Sequence, residues 1–238
     1  MNLPGTPSLI YLGFLLLFLP WIAIRSAARL KAITSTGEVD AAKLRTTSLY
    51  STFFCLSLIL WFSWVVGSGF HFSFFALPPD LFSALICTIG GLLTVLFIRY
   101  FLRSPLPLEQ KKSLLVYHLA PQTPREWLLK LAVIALASVA EEVAYRGVAY
   151  AILWYTTQSL LLSVLISSLA FALAHWYQER RAMVAIFLFS LVMHLVVNIT
   201  HSLLCAILIH ALYDLYALWR ISRDASKILG TDNSPIIS

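Results

Sequence analysis

Long apolar stretches separated by short polar segments, most of them basic, form the main pattern of this 238-residue chain. Each stretch is close to the about 20 residues that a helix needs to cross the hydrocarbon core of a bilayer. The pattern predicts about seven transmembrane helices, at roughly 7–24, 46–66, 81–98, 128–154, 158–177, 182–200 and 202–219. We therefore expect an all-α fold, a polytopic integral membrane helix bundle.

Composition agrees with this pattern. Hydrophobic residues make up 60% of the chain and charged residues only 12%, and the mean hydropathy is +0.83. A soluble domain of this length would need far more charge to cover its surface. A soluble globular fold is therefore excluded.

The basic residues lie on one side of the predicted bundle. If the spans alternate in direction, the first, third and fifth connections and the C-terminal tail share a face, and they hold five, six, two and three Lys or Arg. These are 16 of the 17 basic residues when Lys130, near the start of the fourth span, is counted with the third connection, and the last, Arg146, lies deeper within that span. The positive-inside rule predicts an N-terminus outside and a C-terminus in the cytoplasm, in the cell (inner or plasma) membrane. Because topology explains the basic charge, the expected partner is the lipid bilayer and not nucleic acid.

The chain is expected to form a single membrane domain whose three parts differ in their content of ionisable side chains. Residues 1–102 hold three spans without ionisable side chains, residues 103–220 hold the other four, and residues 221–238 form a cytoplasmic tail. The proline-containing, basic segment 103–127 is expected to lie along the cytoplasmic interface.

Ionisable side chains inside spans are the informative residues. Placing a charge at the centre of a membrane helix costs about 2.5–3.5 kcal/mol on insertion scales, so each one needs a reason. Apart from Lys130 near the start of the fourth span, they fall in the last four predicted spans, with His201 at the boundary between the last two: Glu141, Glu142, Arg146, His175, His194, His201, His210 and Asp214. The C-terminal half is therefore expected to hold the functional site.

Helical spacing relates some of these residues to each other. Glu142 and Arg146 lie four apart and share a helix face, which favours an ion pair, whereas Glu141 points about 100° away. His210 and Asp214 are also four apart, and a carboxylate one turn from a histidine can fix its tautomer. His194 and Asn198 have the same spacing, so spacing alone does not separate the two histidines.

Depth in the membrane favours His210. Glu141 lies 11 residues from Lys130 and His210 lies 10 from Arg220, which at about 1.5 Å per residue puts both roughly 15–16 Å inside the cytoplasmic boundary. His175 lies five residues from the next basic residue, or roughly 7–8 Å inside. Three helices are thus predicted to bring a glutamate and two histidines to overlapping depths.

Three short motifs follow one another on these helices: EEVAYRG at 141–147, FALAH at 171–175 and HALYD at 210–214. Together they resemble the CAAX protease and bacteriocin-processing family of intramembrane endopeptidases, also called the Abi family. That family has the pattern EExxxR, then FxxxH, then His followed four residues on by Asn or Asp. The matching residues here are Glu141, Glu142, Arg146, Phe171, His175, His210 and Asp214.

The resemblance implies a glutamic-type intramembrane endopeptidase that needs no cofactor. Its substrate would be a membrane-anchored protein or peptide, cut within or next to the bilayer. Carried over to this chain, Glu141 acts as general base with help from His175, and His210 with Asp214 holds the tetrahedral intermediate. Asp214 would orient His210 or act as a protonated donor.

Two alternatives stay open on the residues alone. Glu141, His175 and His210 could form a Zn²⁺ site with an open position for water. The same polar cluster could also serve a non-enzymatic membrane protein, either a proton-linked transporter or an immunity-type binding partner.

Overall fold

Helices make up nearly all of the chain that the structure describes. The computed structural model describes residues 5–35, 40–69, 75–78, 80–102, 115–176 and 180–229. In chain order the elements are α1 (Thr6–Gly13), π1 (Phe14–Phe18), α2 (Leu19–Ser35), α3 (Ala41–Ser68), α4 (Leu81–Phe101), α5 (Leu115–His118), α6 (Pro124–Glu141), π2 (Glu142–Ala149), α7 (Tyr150–Thr157), α8 (Leu160–Ala174), α9 (Arg180–Thr200) and α10 (Leu203–Leu229). These ranges contain no strand, so the all-α prediction is confirmed.

Within the described residues, five helices are long and apolar enough to cross a membrane: Thr6–Arg29, Ala42–Ser68, Leu81–Phe101, Arg181–Thr200 and Leu203–Ile228. The predicted count of seven is not confirmed. The predicted fifth span corresponds to α8, which has only 15 residues. The predicted fourth span corresponds to α6, π2 and α7, where Glu141, Glu142 and Arg146 lower the hydropathy of the helix. The chain is therefore a multi-pass membrane protein, and its C-terminal half has a polar interior.

The start of α6 is fixed by its own polar residues and by α3. Thr123 and Glu126 form a capping box, in which the Thr123 side chain accepts from the Glu126 backbone N–H and the Glu126 side chain accepts from the Thr123 N–H. Pro124 stands in the first turn, where its missing N–H costs nothing. Arg45 of α3 donates to the Glu126 carboxylate at 3.0 Å. These contacts fix the N-terminal end of α6, the helix whose last residue is Glu141.

Small residues face the interior of the bundle and large apolar residues face outward. Buried side chains include several serines, among them Ser63, Ser163 and Ser190, whereas aromatic residues such as Trp61 and Phe97 are exposed. Small residues let membrane helices approach closely, and lipid replaces water on the outer surface. The π2 segment lies at the centre, in contact with α3, α8, α9 and α10.

The end of α10 carries a second, smaller core. Ala225 and Ile228 pack against Tyr117 and Ala120, with Val116 beside them. Of the segment predicted to be interfacial, residues 115–120 therefore pack against a helix, and 103–114 lie outside the described residues. The α10 helix continues past the predicted start of the tail to Leu229, and residues 230–238 lie outside the described residues.

Candidate active site

A widened helical turn carries the paired glutamates. Glu141 ends α6 and Glu142 begins the π-helix π2, all of whose eight residues are buried. A π segment widens the helical turn, with hydrogen bonds between residues five apart, and is frequently found at functional sites. Here both glutamates reach the same imidazole: Oε1 of Glu142 is 2.8 Å from Nδ1 of His210, and Oε2 of Glu141 is 3.8 Å from its Nε2.

Glu142 is the structural centre of this cluster. Its side chain and that of Arg146 are both 0% exposed, and Nη1 of Arg146 donates to Oε1 of Glu142 at 3.1 Å. An ionised carboxylate only accepts hydrogen bonds, so the Nδ1 of His210 beside the same oxygen carries a proton. This leaves the Nε2 of His210 facing Glu141 and Asp214, whose Oδ2 is 3.7 Å away.

The aromatic ring of Phe171, one helical turn before His175, packs against other side chains of the site. The guanidinium carbon of Arg146 lies 4.3 Å from the centroid of the Phe171 ring, a cation–π contact. The same ring lies 4.8 Å from the His175 ring and 6.2 Å from the His210 ring. Phe171 thus packs against a member of each of the three motifs.

His175 follows the last residue of α8 and is oriented by that helix. Its Nδ1 lies 2.8 Å from the carbonyl oxygen of Phe171, an acceptor, so Nδ1 carries the proton. The basic nitrogen of the neutral ring is therefore Nε2. His175 lines the same cavity as Glu141.

A cavity of about 280 Å³ opens beside these side chains. Glu141, His175, His210 and Asp214 contribute to its wall, together with Phe171 and many aliphatic side chains, whereas Glu142 and Arg146 do not. The Glu141 side chain is 17% exposed and that of Glu142 is fully buried. Of the two glutamates, only Glu141 can meet a molecule in the cavity.

His194, the histidine with the same spacing, lies elsewhere. It is buried beside the Tyr150 ring, with centroids 5.3 Å apart, and does not line the cavity. The Asn198 amide donates to the His194 carbonyl and accepts from the Tyr150 hydroxyl. His201 is exposed at the turn between α9 and α10, with φ 50°. Of these histidines, the structure brings His210 together with Glu141.

Polar contacts from other helices support π2, and the sequence did not reveal them. The buried Tyr11 of α1 bonds Ser63 of α3 at 2.7 Å and donates to the carbonyl oxygen of Ala144 at 3.3 Å. Ser167 of α8 donates to the carbonyl of Tyr145 at 2.9 Å. Single hydroxyl groups in apolar spans gave only a weak signal, although a Tyr on the first span is a polar group that needs a partner.

Two basic residues, Arg99 and Lys130, also line the cavity. In the sequence they are part of the basic third connection and indicate only the orientation of the spans. Their proximity depends on the packing of α4 and α6 against α10, which the sequence pattern does not contain.

The zinc alternative requires several metal-binding side chains that lie close together. Among the described residues, no three His, Cys, Asp or Glu side chains are grouped as a metal site requires, and this includes Glu141, His175 and His210. The Nδ1 atoms of both histidines hydrogen-bond within the protein, which leaves Nε2 as the nitrogen that would bind a metal. The zinc alternative stays a prediction for experiment, and we derive no step through a metal.

Comparison with known proteins gives a match to a protein family. No curated protein and no solved structure matches the chain. One family model does, described as type II CAAX prenyl endopeptidase Rce1-like, and it covers residues 123–216. This range begins at the N-cap of α6 and includes every predicted site residue from Glu141 to Asp214. Residues 123–216 therefore match the Rce1-like family of CAAX prenyl endopeptidases, and the resemblance indicated by the three motifs is confirmed.

Proposed function

We propose that the protein is a glutamic-type intramembrane endopeptidase that hydrolyses a peptide bond of a membrane-anchored protein or peptide. The family match supports a CAAX-type protease. One observation carries the finer assignment: Glu141, His175 and His210 line one cavity, and the Nε2 of His210 lies 3.8 Å from the Glu141 carboxylate. A base, a second basic nitrogen and a donor are thus gathered around a space for the scissile bond.

The chemistry uses this chain's residues alone. Water held by Glu141 and by Nε2 of His175 loses a proton to Glu141 as its oxygen attacks the scissile carbonyl carbon. The oxyanion of the tetrahedral intermediate accepts a hydrogen bond from Nε2 of His210 when that nitrogen is protonated, with Asp214 orienting the ring. The C–N bond then breaks, and the proton taken up by Glu141 passes to the leaving amine. The products are a carboxylic acid and an amine, which become a carboxylate and an ammonium after the acid loses its proton to the amine.

Glu142 and Arg146 keep this arrangement in place. The Glu142 carboxylate fixes the tautomer and the ring orientation of His210, and Arg146 neutralises the buried charge of Glu142. Both are positioning residues in this proposal, because they do not line the cavity.

Reconstitution tests the activity. The purified protein in vesicles is expected to cleave some members of a panel of prenyl- or acyl-anchored, internally quenched peptides. In H₂¹⁸O the new C-terminus should gain one ¹⁸O atom, measured by mass spectrometry. Rates unchanged by 1,10-phenanthroline are expected, whereas loss restored by Zn²⁺ would support the metal alternative. Binding of the peptides without turnover would contradict the proposal and favour a transporter or an immunity-type partner.

We also propose that the cavity opens towards the cytoplasm. The support is the distribution of Lys and Arg, 16 of 17 of which lie in the connections assigned to one face or in the tail. Single cysteines introduced at Arg125 and at Arg220, in a chain whose three native cysteines are replaced, are expected to react with an impermeant maleimide only after the membrane is opened. A cysteine at Leu77 should react in intact cells. Labelling in the reverse order would contradict the topology.

A further inference from the structure

A buried tyrosine of the first span contacts the backbone of π2. Tyr11 of α1 is 0% exposed, and its hydroxyl oxygen lies 2.7 Å from Oγ of Ser63 and 3.3 Å from the carbonyl oxygen of Ala144. Ser63 of α3 is also fully buried, and its Oγ lies 2.6 Å from the carbonyl oxygen of Ile59 in its own helix. Of these two hydroxyls, that of Tyr11 reaches π2, and Ser63 fixes its position.

A second hydroxyl, from another helix, reaches the next carbonyl of π2. Ser167 of α8 is fully buried, and its Oγ donates to the carbonyl oxygen of Tyr145 at 2.9 Å. Ala144 and Tyr145 are consecutive residues inside π2. The π register is rare in proteins, and within a membrane bundle the hydroxyl side chains of neighbouring helices satisfy the backbone groups of irregular turns. The two hydroxyls therefore hold the π register of π2 by its carbonyls.

The register of π2 decides where the paired glutamates point. Successive residues of a regular helix are about 100° apart, so a change of register by one residue turns one part of the helix by that angle relative to the other. In the π register, Glu141 and Glu142 both reach His210, at 3.8 Å and 2.8 Å from different ring nitrogens. Glu142 also keeps its ion pair with Arg146. A shift towards the α-helical register would therefore move Glu141 relative to His210.

We propose that Tyr11 is a positioning residue for the reaction, which sets the place of Glu141 in the cavity through the Ala144 carbonyl and the π register of π2. The proposal rests on the proposed peptidase function. Tyr11 does not line the cavity, so it acts only through π2. Tyr11 and Ser63 both lie outside residues 123–216, the range that matches the Rce1-like family. The N-terminal spans, which carry no motif, thereby contribute to the geometry of the site.

The ring and the hydroxyl of Tyr11 have separable roles. The ring packs edge-to-face against Phe62 of α3, with centroids 5.1 Å apart. Tyr11→Phe keeps this packing and removes only the hydroxyl, so the Ala144 carbonyl loses its donor from α1. Tyr150→Phe is the matched control, because the Tyr150 hydroxyl donates to the Asn198 side chain of α9 and this residue does not line the cavity.

Kinetics of the purified protein in vesicles, with the lipid-anchored quenched peptides, test the proposal. A displacement of about 1 Å at a reacting group can cost about 100-fold in rate, so Tyr11→Phe should lower kcat about 10- to 100-fold. KM should stay within about twofold, because the cavity wall keeps its side chains. Ser63→Ala should lower kcat as well, and combining it with Tyr11→Phe should add little, since both changes act on one donor. Tyr150→Phe should keep kcat within about twofold.

The kinetic outcomes decide between positioning and general packing. Wild-type kcat in Tyr11→Phe would overturn the proposal, and so would an equal loss of kcat in Tyr11→Phe and Tyr150→Phe. If Tyr11→Phe gives no folded protein, Ser63→Ala decides in the same way, and its wild-type kcat would overturn the proposal.

The ¹⁵N resonances of the His210 ring give a measurement that needs no turnover. They are assigned by their loss in His210→Ala, and they report the hydrogen bonds of both ring nitrogens. Tyr11→Phe should shift them, because the glutamates move relative to the ring, whereas Tyr150→Phe should leave them in place.

This measurement separates the two proposals. Shifted resonances in Tyr11→Phe without cleavage by the wild-type protein would keep the support of π2 by Tyr11 and contradict the peptidase. Cleavage by the wild-type protein, with unchanged resonances in Tyr11→Phe, would keep the peptidase and overturn the role of Tyr11, even if kcat falls. Absence of both cleavage and shifts would contradict both.

Discussion

Glu141→Gln is expected to remove nearly all peptidase activity while leaving the folded protein intact. The carboxylate faces the cavity, and its only ion-pair contact among the described residues is 3.8 Å from His210. An amide of the same size fills the space but cannot take a proton from water. General bases contribute about 10²–10⁴-fold, so kcat should fall by at least two orders of magnitude. The thermal unfolding midpoint should stay close to that of the wild-type protein, measured in detergent by differential scanning fluorimetry.

Glu142→Gln is the matched control, because it makes the same chemical change one residue away. This carboxylate is fully buried and holds both Arg146 and His210. Removing one partner of a buried ion pair typically costs about 3–5 kcal/mol, so the unfolding midpoint should fall clearly, together with activity. Wild-type turnover in Glu141→Gln would contradict the assignment of the general base. So would an equal loss of stability in both variants.

The sequence predicted which residues lie around the cavity of the candidate site better than it predicted their geometry. Charges in apolar helices are rare enough that Glu141, His175 and His210 stood out without any structure, and helix rise predicted the same depth for Glu141 and His210, with His175 nearer the cytoplasmic boundary. The sequence also suggested the pairing of Glu142 with Arg146, since i, i+4 neighbours share a face. These inferences depend on local periodicity and on the cost of charge in lipid, both of which are readable along the chain.

The features of the site that could not be predicted from the sequence depend on packing between helices. In a regular helix Glu141 and Glu142 point about 100° apart, yet both contact His210, each at a different ring nitrogen. The π-helical hydrogen-bond register of π2 has no counterpart in the pattern of apolar residues. The contact of Tyr11 with the Ala144 carbonyl joins residues 133 positions apart. The predicted count of seven spans is not confirmed, because α8 has only 15 residues and polar residues interrupt the apolar stretch of the fourth predicted span.

His210→Ala is expected to have the second large effect, and it tests the choice between the two histidines. His210 occupies the space between Glu141, Glu142 and Asp214. Loss of one donor to an oxyanion costs about 10²–10³ in kcat, and KM should change much less. The variant also leaves Glu142 with one partner fewer, so part of any loss could reflect folding. Imidazole added to the assay separates the two causes, because a small base that enters the vacated space should restore part of the rate.

His194→Ala gives the comparison that decides the assignment. His194 is buried like His210, and Asn198 follows it by four residues, as Asp214 follows His210. The His194 ring packs against Tyr150, away from the cavity. Its removal deletes packing contacts, so we expect a lower unfolding midpoint with kcat per folded molecule within a few-fold of wild type. Imidazole should have no effect on this variant. If His194→Ala loses 10²-fold in kcat and His210→Ala does not, the oxyanion donor belongs to α9, and the arrangement proposed for π2, α8 and α10 is wrong.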